Sequence, residues 1–480
     1  MRKSLFTIFP ALVAAVTMVL APLQVAKASL LGAEKLTIRD ENRLGGQFDR
    51  ILRSRMSMVG DTYITSYVDY VVQRIVKAKR PMPFRVKSAV IANPILNAFA
   101  IPGGYIYIFT GLLQSVDTES QLAGIISHEL GHVSQRHVAK RLEKQSKIGL
   151  LTMAGVLAGA FIGVAGGSGS GKAAQALIVG SQGLGTAAML GYSQDDEREA
   201  DHVGMNALVK AGYNPNGMPQ TFKILMKNRW FDSGNSQTPS YLSTHPGLSD
   251  RIVYLQDRIA RMPPSFSERK DDNTMLRKVQ VLVRSKMSDA AAAKAYWENK
   301  PKAEYSAMDW IGLGIVELRL KDQDQAKAAF DKALSMDGED ALVCREVGIY
   351  YFKIGNYSES FKYLQKALIK HREDALGLFY LARIQGESKD YGRAIANMEK
   401  VLKMVPEDSE VHYHLGMLMG SSGDVFGGNL HLAYSSVYSG DNNKAGYYRR
   451  LASQAAKTEE QKQALSELDR VIQVHNQRLG

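Results

Sequence analysis

Two histidines four positions apart, His128 and His132, with Glu129 directly after the first, form the pattern H-E-x-x-H inside QLAGIISHELGHVSQRHVAK. On a helix these histidines lie one turn apart on one face, spaced to chelate one Zn²⁺ through two imidazoles. Glu129 sits about 100° further round, where its carboxylate can act as the general base of a hydrolysis. Thr118 with Gln121 fits a capping box, and no proline interrupts Gln121 to Lys144, so one continuous helix is expected. A hydrolytic zinc site needs a third protein ligand. A third histidine six residues after the second is absent, because Val138 occupies that position. His137, nine residues after His128, projects to the opposite side of such a helix and is expected to be a structural or solvent-edge histidine. Downstream, SQDDEREADHVGMNALVKAGY predicts a second helix, capped by Ser193 with Asp196 and ended by Gly212. In it Glu197 and Asp201 share a face. Glu197 would complete a His₂Glu site, and Asp201 is placed to hold a ligating imidazole by its far N–H. A solvated acidic face has the same pattern; the pairing with HELGH is what gives it meaning.

HELGH followed by E-x-x-x-D resembles the zinc metallopeptidases that include the CAAX prenyl proteases, HtpX and Oma-type enzymes. NAFAIPGGYIYIFTGLL (97–113) and THPGLSDRI (244–252) carry the resemblance further, and the four blocks stand in the family's order across roughly residues 45–260. The resemblance implies one Zn²⁺ per chain on His128, His132 and Glu197, with Glu129 as base and Asp201 as orienting group. It also implies a strand from Asn97 to Ile101 whose edge accepts an extended peptide. His245 and Arg251 would stand beside the substrate backbone near the metal. For His245 two roles stay open: a hydrogen-bond donor to the oxyanion, or a fourth metal ligand that holds the enzyme latent.

The N-terminus, MRKSLFTIFPALVAAVTMVLAPLQVAKA, reads as a signal peptide (1–28), with Arg2 and Lys3 before an apolar stretch and Ala26-Lys27-Ala28 at the cleavage site. HELGH with bacterial-style export suggests the periplasm. The single cysteine, Cys344, cannot form an internal disulfide, so packed cores must hold the fold. A formal charge of +12 favours acidic partners or an anionic membrane surface. The basic residues are dispersed and no nucleic-acid motif is present, which argues against DNA or RNA. Gly166-x-x-x-x-Gly171-Lys172 imitates a phosphate loop, but Ala173 replaces the residue that would hold Mg²⁺, so no nucleotide is expected.

These elements predict a mainly α chain with a small β-sheet: a zincin-type α+β metalloprotease domain (29–265) followed by an α-helical solenoid (275–480). Residues 61–79 are amphipathic, Phe84 to Val90 alternate as a strand, and Tyr105 to Thr110 make another before the HELGH helix. Residues 148–194 carry no charge except Lys172 and read as a lid or a membrane-contacting helix pair; a membrane-inserted hairpin is the alternative. After a turn-rich linker at 262–273, Leu313-Gly314, Val347-Gly348, Leu381-Ala382 and Leu415-Gly416 recur every 34 residues, the period of tetratricopeptide repeats. Such an array is expected to fold apart from the peptidase and to degenerate at Gly427-Gly428. An exported zincin joined to these repeats resembles the branch of the family that serves outer-membrane protein assembly in Gram-negative bacteria. That implies unfolded or misassembled outer-membrane proteins as substrates and the β-barrel assembly machinery as partner, with peripheral membrane contact. The competing readings are a chaperone or scaffold with a latent zinc site, and a membrane-embedded housekeeping protease.

Overall fold

The computed structural model describes residues 35–144, 192–232 and 241–476. The expected signal sequence lies outside the described residues, as does the 148–194 segment apart from Tyr192 to Gln194. Among the described residues no helix is long and apolar enough to cross a membrane.

The sheet that leads into the site has three strands, β1 (Lys87–Ile91), β2 (Ala98–Ile101) and β3 (Tyr105–Phe109), in the order β1-β3-β2. β1 runs parallel to β3, with Lys87 opposite Tyr105, and β2 runs antiparallel to it, with Ala98 opposite Ile108. Period-two alternation along YIYIF sends Ile106 and Ile108 to one face and Tyr107 and Phe109 to the other. The first face packs on α2 (Thr62–Lys79) and α4 (Glu119–Gln135), the second on α1 (Ile38–Arg55), through Leu44, Phe48 and Leu52. Tyr107 keeps its hydroxyl satisfied on that side by donating to Asp49 of α1, 2.6 Å. The helix α1 has no expectation behind it; charges interrupt its apolar positions and hide the face that the sheet buries. A short α3 (Thr110–Ser115) then turns the chain into α4.

One expectation fails at the end of α4. The helix stops at Gln135, Arg136 takes a left-handed conformation (φ 56°, ψ 37°), and α5 (His137–Lys144) starts anew. Nothing local compels this. Arg136 reaches instead to the Glu41 carboxylate and the Leu36 carbonyl, and these distant contacts hold a backbone that a non-glycine residue rarely adopts.

The second site helix is α6 (Gln194–Lys210), opened by a full Ser193–Asp196 capping box and followed by Gly212 at φ 87°. Behind it come α7 (Gly217–Asp232) and α8 (Leu248–Ala260). The region 275–297 forms two helices, α9 (Thr274–Met287) and α10 (Ala290–Asn299), and four helix pairs follow. These are α11 (Ala307–Arg319) with α12 (Gln323–Asp337), α13 (Ala341–Lys353) with α14 (Tyr357–Lys370), α15 (Ala375–Glu387) with α16 (Tyr391–Met404), and α17 (Ser409–Ser421) with α18 (Val425–Tyr438). Asp322, Asn356, Asp390 and Asp424 cap the second helix of each pair at the 34-residue period. The recurring small residue does what the period implies. A Cβ on Gly348 would stand 2.7 Å from Leu364 Cγ, so the paired helices touch at that level. Gly427-Gly428 does not break the fourth pair: α18 is continuous, and Gly428 lets it rest against Gly416 and Gly420 of α17. Helices α19 (Asn442–Ala455) and α20 (Glu459–Asn476) close the array.

The hydrophobic core does not stop at the linker. Leu276, Val279, Leu282 and Val283 of α9 belong to the same buried cluster as Ile64, Leu113 and Leu122 of α2 to α4 and Val316 and Phe330 of the first helix pair. Gln280 of α9 donates to the Leu113 and Val116 carbonyls (2.9 and 2.7 Å), and linker Asn273 accepts from the Glu119 N–H at the start of α4, 2.8 Å. The sheet-bearing N-terminal region and the solenoid are packed together through α9.

Candidate metal centre

Helices α4 and α6 cross with their backbones in contact because both carry glycine at the crossing. A Cβ on Gly131 would lie 2.5 Å from the Ala200 carbonyl oxygen, and one on Gly204 2.6 Å from that of Ser127. That close approach places the Glu197 and Asp201 face of α6 against the His128 and His132 face of α4. All four side chains are buried.

Four donor atoms converge there: one each from His128, His132, Glu197 and His245, all within 4.8 Å of one another. His128 Nε2 is 3.0 Å from His132 Nε2 and 3.3 Å from His245 Nδ1. Glu197 Oε1 is 2.9 Å from His245 Nδ1 and 3.6 Å from His132 Nε2. Donors held at ~2.0–2.1 Å around a tetrahedral ion stand about 3.3 Å apart, so the cluster has the size and the N/O chemistry of a metal site. Beside it Glu129 is fully buried, and neither carboxylate oxygen has a hydrogen-bond partner among the described residues. Burial pushes its carboxyl above the usual range.

The surrounding charges sort the cluster. Asp201 Oδ1 is 2.8 Å from His128 Nδ1, which leaves Nε2 of that ring facing the centre. Burial works against a charged His128, but hydrogen bonds to Asp201 and Glu197 carry it up to about 9. Burial acts against ionised Glu197 too, yet His245 and His128 hold it well below the carboxylate range. Arg251 is almost fully buried and committed to both carboxylates: its Nε and Nη2 each lie 2.7 Å from Asp201, and Nη1 donates to Glu197. Its neighbours Tyr254 and Arg258, three and seven residues on, donate to Asp201 and to Asn206, so α8 is zipped along α6.

The expected site residues thus come together, with differences of detail. His245 brings Nδ1 to the donor cluster and leaves Nε2 3.7 Å from Glu129 Oε1. Asn97 stands just before β2, where its carbonyl accepts from the Phe109 N–H, 3.1 Å. By antiparallel alternation, the backbone groups of Ala98 and Ala100 then face away from β3 along an edge that no described strand pairs. Beside that edge Ala100, Ile101, His132, Val133 and Tyr192 leave a cavity of only about 10 Å³. Two aromatic residues escaped the sequence reading. Tyr192 stacks on the His132 ring at 3.7 Å between centroids, and Tyr241 stacks on His245 at 4.1 Å. The Tyr241 hydroxyl, like Glu129, is buried without a partner among the described residues. Neither tyrosine has a spacing that would reveal it; each is placed by the fold.

Residues 63–259 match the sequence model of peptidase family M48, and residues 310–340 match the tetratricopeptide repeat. The beta-barrel assembly-enhancing protease of Escherichia coli is 30% identical over 237 residues, 49% of this chain and 47% of the relative. The mitochondrial metalloendopeptidase OMA1 of Arabidopsis thaliana is 32% identical over 166 residues, 35% of this chain and 30% of its own. The metalloprotease LoiP of Escherichia coli is 29% identical over 165 residues, 34% of this chain and 59% of its own. In each of these three the matched part is less than two thirds of the relative's length.

Proposed function

We propose, from the premise that residues 63–259 are a domain of peptidase family M48 joined to tetratricopeptide repeats, that this chain is a zinc-dependent endopeptidase of the periplasm. Its substrates are misassembled outer-membrane proteins, and the repeats recruit them or the β-barrel assembly machinery. One observation carries the chemistry: four N and O donors converge at ligand spacing beside a buried, unpartnered glutamate. His128, His132 and Glu197 hold the metal. Zn²⁺ there supplies Lewis acidity toward the scissile carbonyl and toward water. Glu129 takes the proton of the attacking water and passes it to the leaving amine. Asp201 keeps His128 in the tautomer that presents Nε2, and Arg251 keeps Asp201 ionised and fixes the Glu197 carboxylate by a hydrogen bond. The edge of β2 from Asn97 to Ile101 aligns an extended substrate as an added strand. Export rests on the N-terminal signal pattern; the outer-membrane role rests on the likeness to the Escherichia coli relative. The direct test is to purify the mature chain, measure bound metal and assay cleavage of an unfolded outer-membrane protein. His128→Ala and Glu197→Ala are expected to lose both metal and cleavage; retained zinc in either would remove that residue from the ligand set.

A latent resting state is favoured by His245. Its Nδ1 lies at ligand spacing from His128 and Glu197. With Zn²⁺ bound, His245 would serve as a further ligand that holds the enzyme at rest, and the repeats would hold clients in the meantime. His245→Ala is expected to raise basal cleavage or self-cleavage. A loss of turnover of about 10²–10³ with zinc retained would assign His245 to the oxyanion instead.

A further inference from the structure

The break at Arg136 has a chemical result. Because α5 starts anew at residue 137, the His137 side chain turns back behind His132 and is fully buried there. Its Nδ1 lies 2.8 Å from His132 Nδ1, and its Nε2 lies 3.1 Å from Glu199 Oε2 on α6. Asp196, 3.8 Å from the same Nε2, adds negative charge at that end.

Two imidazole nitrogens at 2.8 Å share one proton, and the rest of the geometry says which ring carries it. Glu199 accepts only, so His137 carries its proton on Nε2 and presents a lone pair on Nδ1. That lone pair accepts from His132 Nδ1–H. His132 is thereby fixed as the tautomer whose Nε2 is bare and faces the donor cluster, 3.0 Å from His128 Nε2. Tyr192 stacked on the other side of His132 leaves the ring no freedom to turn. We infer that His137 and Glu199 are positioning residues for the metal, a relay that does for His132 what Asp201 does for His128. On this reading the left-handed Arg136 is retained because a continuous helix would carry His137 away from its partner.

The inference rests on the reading of the cluster as a metal site, and one measurement separates the two. Zinc affinity is measured on the full chain by competition with a chelator, and unfolding is followed on the metal-free protein. The variants are His137→Leu, which fills the space without an acceptor, and His137→Asn, whose Oδ1 stands where the lost Nδ1 was. His137→Leu is expected to weaken zinc binding about 10–100-fold, the usual effect of removing an outer partner of a ligand. Its metal-free unfolding midpoint should not fall, and His137→Asn should recover most of the affinity. A Leu variant that binds zinc like the wild type would overturn the inference, as would an Asn variant no better than Leu. Should the Leu variant not fold, Glu199→Ala decides: this side chain is about half exposed, and unchanged zinc affinity on its loss overturns the relay. A wild-type chain that binds no zinc would instead overturn the proposed function, and this inference with it.

Discussion

Glu129→Gln should leave zinc bound and lower peptide hydrolysis by at least about 10²–10⁴-fold, the range that general-base catalysis contributes. The substitution keeps the shape of the side chain and removes only its ability to accept a proton. The site around it is favourable for that comparison. Both Glu129 oxygens are buried with no hydrogen bond among the described residues, so the carboxylate braces nothing that an amide would release. His245 Nε2 is 3.7 Å from Glu129 Oε1, too far for a tight pair. The three proposed protein ligands are oriented by other groups: His128 by Asp201, His132 by His137, and Glu197 by Arg251. Metal content should therefore stay at the wild-type level, and the metal-free protein should be no less stable, because an uncharged amide is easier to bury than a carboxylate. Loss of zinc together with activity would show that Glu129 holds the site together. Full activity in the presence of bound zinc would remove it from the mechanism.

The parts of this site that sequence reveals are those whose geometry is set within one helix. The Thr118 and Ser193 caps, the i, i+4 pairs His128/His132 and Glu197/Asp201, and the 34-residue repeat all depend on neighbours a few positions away. The left-handed Arg136 depends on Leu36 and Glu41, some hundred residues earlier, so a periodic projection carried His137 to the wrong side. Tyr192 and Tyr241 come from separate chain segments that meet at the donor cluster, where the Tyr192 N–H donates to the Thr244 carbonyl, 2.9 Å. Arg251, expected beside the substrate backbone near the metal, is bonded to the carboxylates because α8 runs along α6, a contact that no local spacing shows. The same rule explains the domain boundary. A repeat period reports contacts between repeats, whereas α9 has no counterpart in the repeat, and its apolar face shows nothing of the N-terminal core that covers it.

The second large effect lies where the solenoid meets the N-terminal region that carries the candidate metal centre. Arg345 of α13 is completely buried, and its Nη2 lies 3.0 Å from Asp61, the N-cap of α2, and 2.6 Å from Glu346. Lys286 of α9 bonds the same two carboxylates at 2.7 and 2.8 Å, and Asp374 stands 3.4 Å from Arg345 Nη1. Arg345→Ala leaves Asp61 and Glu346 facing each other with one ammonium between them. Removing one partner of a buried pair costs about 3–5 kcal/mol, and the loss should appear as easier unfolding in urea and faster proteolysis near residues 262–273. pH supplies an independent check. Burial alone would raise the Asp61 carboxyl, but Arg345 and Lys286 hold it well below the usual carboxylate range. A folded-state pKa depressed in this way stabilises the protein above the unfolded value of about 3.9 and is lost as pH falls below it. Wild-type stability should thus drop more steeply below about pH 4 than that of Asp61→Asn, which has no such proton to take up. Equal acid limbs for the two proteins, or an Arg345→Ala chain as stable as the wild type, would mean that the apolar surface of α9 alone joins the solenoid to the N-terminal region and that the charges only fill the seam.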